Sequence, residues 1–301
     1  MRRMRRSCFP PTPQNVSHLH TLMIEKDNSQ FAHTFQEPPK RFYQGPLMVN
    51  GNIEGLLFCN TANIEEIMPE LQNVRVAGCD GTFKVVPKFL ENSVNQLFSF
   101  HVIYKNVTFP LVHALLTGKT QEIYVALLLY IRNVLPLVYN NVIIITDFEF
   151  GLINAVKIVF PESQHQGCYF HFCQAVIRHA RNKRVRVFNL MKTNPIAARV
   201  LRMILALPYL PATRQGEIIP SMVDGFYSII EYVNQYPEIA AQLQNFLFNY
   251  VWEYWFDTLG PSAISVFNQD IRTNNYIETY HASMLKLIKP HPKVWEFLSM
   301  I

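Results

Sequence analysis

VRVAGCDGTFKVV, residues 74–86, is a β-rich segment with an acid, Asp80, set near its middle. Two more β-rich segments follow, LFSFHVIYK (97–105) and VTFPLVHALLT (107–117). The connection between them is so short that an antiparallel meander is natural. TQEIYVALLLYIRNVLP (120–136) then changes period: Ile123, Leu127, Tyr130 and Val134 recur at helical spacing, and Pro136 closes the helix. NVIIITDFE (141–149) is a continuous apolar run, the pattern of a central strand covered on both faces. GLINAVKIVFP (151–161) reads as a short helix, QGCYFHF (166–172) as a further strand, and CQAVIRHARNKR (173–184) as a helix with a basic end. This β-β-β-α-β-α-β-α order predicts an α/β fold: a layered mixed sheet with flanking helices and a three-strand antiparallel edge. In such a sheet the first and fourth strands can lie side by side, which makes Asp80 and Asp147 neighbours.

Outside that stretch the patterns are simpler. Residues 1–40 are polar, rich in Pro and His and aperiodic, and read as a loose basic tail. Residues 41–73 form a lead-in unit, with GLLFCN as a strand and NIEEIMPEL as a helix. The core then runs over 74–186. From 187 to 270 the chain turns helical: ARVLRMILALPYL and EIAAQLQNFLFNYVWEYWF carry apolar residues at spacings near 3.6. Pro208, Pro211, Pro220 and Pro237 break that region into short helices. Residues 271–301 close the chain with an amphipathic helix.

Bulk composition narrows the class. The chain has 301 residues, 49% of them hydrophobic and 16% charged, enough for one large domain or a core with an insertion. A net charge of +5 permits a nucleic-acid partner without demanding one. No apolar run reaches the roughly 20 residues of a membrane span. MRRMRRSCFPPTP, the first 13 residues, has a basic start with no apolar region behind it, so it is not a secretory signal. Five cysteines, an odd number without a dense framework, fit a reducing compartment and an intracellular protein.

Three acids stand out. Asp80 and Asp147 sit in or at the end of apolar strands, and Glu278 opens the last helix, in RTNNYIETYH. Acids are rarely left in apolar segments unless something pairs with them or binds there. With no basic run beside them, they point to a site for hard cations, and so to phosphodiester chemistry. Each has a plainer reading. Asp80-Gly81 is a common turn pair. Asp147 could cap the GLINAV helix, and Glu149, two residues on, is a rival for its role. Asn275 and Glu278 have the spacing of a capping box. Along the last helix Ile277, Tyr280, Met284 and Ile288 make the core-facing stripe. Asn274, Glu278 and His281 fall on the adjacent flank.

Taken together, FYQGPL, DGTF with its following VP, PLVHALLTGKT, TDFE, FP before GC-Y-FH, and TNN-IE-YH resemble the transposase domain of Mutator-like elements, the MULE family. The resemblance runs from about Phe42 to Phe297. It implies a ribonuclease H-like fold with an all-α insertion before the last catalytic helix. It also implies a DDE-type DNA transposase, carrying out metal-dependent strand cleavage and strand transfer. By position the family's acidic triad falls on Asp80, Asp147 and Glu278, as catalytic and metal-binding residues for Mg²⁺ (or Mn²⁺), two ions in all. Cys168 and His171 match the family's C-x-x-H motif. The implied setting is the nucleus, with double-stranded DNA as partner and a homo-oligomer assembled on it.

Other groups fit that reading. Arg178, Arg181, Lys183, Arg184 and Arg186 form the densest basic cluster, and Lys286 and Lys289 follow Glu278. All seven are candidates for contacts to the DNA backbone, against the alternative of a solvated helix end. Trp252, Tyr254 and Trp255 could stack on bases, but core packing in an apolar insertion is the preferred reading. Zinc at Cys168 and His171 is not expected, because in a strand Cys168 would point away from His165 and His171. No P-loop, G-x-G-x-x-G or G-x-S-x-G is present, which removes nucleotide-cofactor and esterase readings. Two alternatives share the pattern: a domesticated or truncated, catalytically silent DNA-binding protein, and a ribonuclease H-like nuclease without strand transfer.

Overall fold

A mixed seven-stranded sheet carries the fold. Its strands are β1 (Tyr43–Val49), β2 (Asn52–Phe58), β3 (Val76–Thr82), β4 (Gln96–Tyr104), β5 (Val107–Leu116), β6 (Ile143–Thr146) and β7 (Gln164–Gly167). They lie in the order β1-β2-β5-β4-β3-β6-β7. The computed structural model describes residues 9–90, 93–182, 185 and 187–301. The chain divides into one unit of Met1–Gln164 with Asn274–Ile301 and a second of His165–Thr273.

In the first unit β3, β4 and β5 form the expected antiparallel meander, and β3 pairs in parallel with β6. Alternation along the strands assigns the faces. Phe98, Phe100 and Val102 of β4 share a core with Val112, Ala114 and Leu116 of β5. Two helices complete that core: α4 (Gln121–Val134) through Ile123, Leu127, Leu128 and Ile131, and α5 (Phe150–Val159) through Leu152, Ala155 and Val156. Thr120 starts α4 by accepting a hydrogen bond from Ile123 N. Helices α2 (Thr61–Glu66) and α3 (Met68–Leu71) lead from β2 to β3, and Ile64 and Leu71 join the same core.

The opposite face presents Leu56, Phe58, Leu97 and Leu115 to a second core. There an early helix meets two late ones: α1 (Val16–Ile24) contributes Val16, Leu19, Leu22 and Met23, α12 (Asn275–Ile288) contributes Met284, and α13 (Val294–Leu298) contributes Trp295 and Phe297. Residues 9–40 are therefore not a loose tail. The four apolar residues of α1 recur at helical spacing, and Asn15 caps the helix by accepting from His18 N at 2.8 Å. The lead-in unit likewise holds a hairpin. Asn50 and Gly51, both at positive φ, turn β1 into β2, and Asn-Gly is the sequence best suited to such a two-residue turn.

The second unit begins within β7. The expected strand at 166–172 ends at Gly167, and α6 (Tyr169–Arg181) takes over. Phe172, Val176 and Ala180 are buried at four-residue intervals, so the helical period already governs the Tyr-Phe-His-Phe run. Beyond it lie α7 (Val187–Thr193), α8 (Pro195–Ala206), α9 (Met222–Asn234), α10 (Pro237–Phe246), a π-helical stretch (Leu247–Leu259) and α11 (Pro261–Ile264). Pro195 and Pro237 sit in the first turns of α8 and α10, where the missing N–H costs nothing. Ser221 and Asp224 form a reciprocal capping box on α9. Trp255 is buried edge-on against Phe172, their ring centroids 4.7 Å apart, which makes it a packing residue.

Because Leu19 is fully buried, Leu19→Ala should destabilise the protein by about 2–5 kcal/mol. Chemical denaturation followed by near-ultraviolet circular dichroism would measure it; a change under about 0.5 kcal/mol, the range of surface substitutions, would mean that α1 does not belong to the core.

Candidate active site

The parallel register between β3 and β6 pairs Val76 with Ile143, Ala77 with Ile144 and Gly78 with Ile145. Two residues further along each chain stand Asp80 and Asp147. The pairing therefore brings the two aspartates level, at the carboxyl end of β6, where ligands gather in open α/β sheets. Asp80 lies on the face opposite Cys79, whose side chain is buried in the first core.

The carboxyl of Asp80 is raised to about 7. Burial is the largest cause, followed by the charge of Asp147, with Glu278 adding to it. A hydrogen bond from Gly81 N at 2.8 Å and the charge of Lys119 act in the other direction. Asp80 thus senses both other acids. The same two aspartates help burial to push the Cys79 thiol well above its ordinary value.

Glu149 is occupied elsewhere. It accepts from Lys119 Nζ at 2.9 Å and from the Tyr124 hydroxyl at 2.7 Å, and Gln96 Nε2 donates to that hydroxyl at 2.7 Å. Asp147 Oδ1 accepts from Glu149 N at 3.1 Å, so it shapes the turn between β6 and α5 rather than acting as the cap residue, which is Glu149 itself. Asp80 is no hairpin turn residue either, since β3 runs on through Thr82.

Glu278 lies in the first turn of α12. The helix starts at Asn274 and has no side-chain cap, so the capping-box reading of Asn275 and Glu278 fails. Ile277, His281 and Met284 are its buried residues. Around them lies a polar cluster that the sequence reading passed over. Ser99 Oγ stands 3.1 Å from His281 Nε2 and 3.2 Å from His113 Nδ1, and the Tyr280 hydroxyl stands 3.3 Å from His113 Nε2. Burial lowers His113 and His281 to about 4 and His101 to about 2. The available signal was a serine and two histidines inside the apolar segments LFSFHVIYK and VTFPLVHALLT.

Asp80, Asp147 and Glu278 offer hard oxygen donors in one electrostatic neighbourhood, the chemistry Mg²⁺ or Mn²⁺ prefers. They do not close around a common point: among the described residues, no three His, Cys, Asp or Glu side chains are arranged to hold a metal ion.

The model of the MULE transposase domain matches residues 76–175, a third of the chain. Over that stretch the chain is similar to the MULE transposase domain. The MULE match spans Asp80, Asp147, Cys168 and His171, and it ends before Glu278. A search of curated proteins gave no match. No helix among the described residues is long and apolar enough to cross a membrane.

The remaining candidate sites fall as follows. Cys168 is buried and directly precedes α6, and His171 lies in the first turn of that helix, so the strand geometry expected for them does not apply. Arg178 and Arg181 are exposed near the end of α6, with the Arg181 guanidinium 4.5 Å from the centroid of the Phe188 ring. Lys183, Arg184 and Arg186 lie outside the described residues. Lys286 and Lys289 are exposed at the end of α12 and just beyond it.

Folding raises the Asp80 carboxyl from 3.8 to about 7, so it keeps its proton longer in the folded chain than in the unfolded one. Its contribution to stability is complete below about pH 4 and is lost as pH rises through 7. Asp80→Asn should remove that loss. With a chelator present, the stability of the variant relative to the natural chain should rise by roughly 2–4 kcal/mol between pH 4 and pH 8, at about 1.4 kcal/mol per unit. A difference independent of pH would contradict the burial of Asp80 against Asp147.

Proposed function

We propose that this chain is a DDE-type transposase domain that cleaves DNA strands and joins them to a target, with Asp80, Asp147 and Glu278 as its acids. The observation that carries this reading is the β3–β6 register, which sets Asp80 and Asp147 level within a MULE domain. Mg²⁺ or Mn²⁺, two ions in the expected arrangement, would be held by the three carboxylates and would neutralise charge on the phosphodiester.

The protein's own groups do the positioning. Asp80 carries a proton near neutral pH and must give it up to act as a carboxylate ligand, so ligand binding and proton release are linked there. Lys119 and the Tyr124 hydroxyl both bond the Glu149 carboxylate, which leaves Asp147 as the second acid. Water attacks the phosphodiester first and frees a 3′-hydroxyl; that hydroxyl then attacks a target phosphodiester, and each attack expels one 3′-oxygen. Such transfers depend on alignment and charge neutralisation more than on covalent help. Arg178, Arg181, Lys183, Arg184, Arg186, Lys286 and Lys289 are assigned to the duplex backbone, where contacts add affinity without sequence preference. Helices α7 to α11 take the part of the insertion that precedes the third acid. The reading places the protein in the nucleus, as a homo-oligomer on DNA.

The alternative is a catalytically silent, DNA-binding descendant of a transposase. The open arrangement of the three acids favours it. One set of measurements separates the two. Asp80→Asn and Asp147→Asn should abolish Mg²⁺-dependent nicking of duplex DNA and leave duplex binding within about threefold, well under one decade of affinity. Replacing Arg181, Lys183 and Arg184 by Ala should instead weaken binding to all sequences and lower its salt slope by about one unit per lost phosphate contact. A natural chain that binds DNA but nicks none in Mg²⁺ or Mn²⁺ would decide for the silent reading.

A further inference from the structure

We propose that Ser99, His281 and Tyr276 form a docking latch that sets the position of Glu278 relative to the two aspartates, with Gly78 providing the room the latch needs. The inference rests on the three-acid reading and names the residues that serve it. All of them belong to the first unit.

The sheet supplies one side of the latch. In the β3–β4 register Ser99 stands directly opposite Asp80, and His101 opposite Gly78. In the β4–β5 register Ser99 stands opposite His113. Helix α12 supplies the other. His281 reaches Ser99 at 3.1 Å, and Tyr280 stacks on His113 at 5.6 Å between centroids, with planes 19° apart. Tyr276 lies over Gly78: a methyl there would overlap the Tyr276 hydroxyl and stand 3.2 Å from ring carbon Cζ.

These contacts fall on both sides of Glu278, two residues before it and three after. Apolar packing through Ile277 and Met284 tolerates small slides and rotations of a helix. A hydrogen bond into a fixed strand position does not. The serine hydroxyl has one proton and lies between two ring nitrogens, so at least one histidine donates to it. That directional chain is made only when α12 sits in one register. It runs to the strand position facing Asp80, so the helix carrying the third acid is referenced to the first acid by a single side chain.

Ser99, Gly78 and Tyr276 are thus positioning residues. Their test uses the full chain, Mn²⁺ alone as the probe, and hydrogen exchange as a second readout. Ser99→Ala and Gly78→Ala should each weaken Mn²⁺ binding by roughly tenfold, the loss usual when support for a metal ligand is removed. Neither should weaken it further in a Glu278→Gln background. Tyr276→Phe, which removes the overlapping hydroxyl, should restore binding to Gly78→Ala. In Ser99→Ala the amides of α12 should exchange faster while those of β3 stay unchanged. Equal losses of Mn²⁺ affinity with and without the Glu278 carboxylate would overturn the latch, as would unchanged exchange in α12. Absence of Mn²⁺ binding to the natural chain would overturn the three-acid reading instead. Exchange would then decide the docking alone, faster exchange upholding it and unchanged exchange ending it.

Discussion

Two carboxylates of like charge side by side in a half-buried sheet are the constraint around which this structure is arranged. The β3–β6 pairing fixes their level, because a parallel register that joins Gly78 to Ile145 leaves Asp80 and Asp147 nowhere else to be. The neighbourhood then has to limit the repulsion. The N–H of Gly81 and the charge of Lys119 both ease the ionisation of Asp80. A third acid close by, Glu149, is drawn into bonds with Lys119 and Tyr124. What remains favours a protonated Asp80 or a bound cation, and both outcomes follow from the same electrostatics.

The two faces of the sheet divide the work. One is mainly apolar, built from Phe98, Phe100, Val112 and Ala114 under α4 and α5, and it supplies much of the burial that holds the strands together. The other mixes Leu97 and Leu115 with Ser99, His101 and His113. Buried polar side chains on that face stabilise only when their partners are in place, so they define one arrangement of the covering helix more sharply than an apolar surface does. Both faces contribute apolar burial, and the second adds specificity.

Much of this was legible in the sequence. The meander, α4, and the apolar run of β6 follow directly from period and composition, and the adjacency of Asp80 and Asp147 follows from strand order. The errors have local causes. The tail reading overlooked α1 because four apolar residues in a polar stretch look sparse until their helical spacing is counted. The QGCYFHF strand was an error of boundary: aromatic residues favour strands intrinsically, but Phe172, Val176 and Ala180 are buried on one face of a helix. β1 was hidden by Gly45 and Pro46, residues that strands ordinarily avoid. The histidine-serine cluster showed only as polar residues inside apolar segments; that they meet was not legible, since its members are up to 182 positions apart along the chain.

The second core of the first unit joins α1, near one end of the chain, to Met284, Trp295 and Phe297, near the other. A ribosome makes α1 well before it makes these later residues. While residues 165–273 are still being made, the sheet can pair and its apolar face can close, yet Leu56, Phe58 and Leu97 have no final cover. The nascent chain therefore holds two of its acids in place through much of synthesis and receives the third only with the segment that completes the core. Completing that core and supplying Glu278 are a single event, which follows the synthesis of residues 165–273.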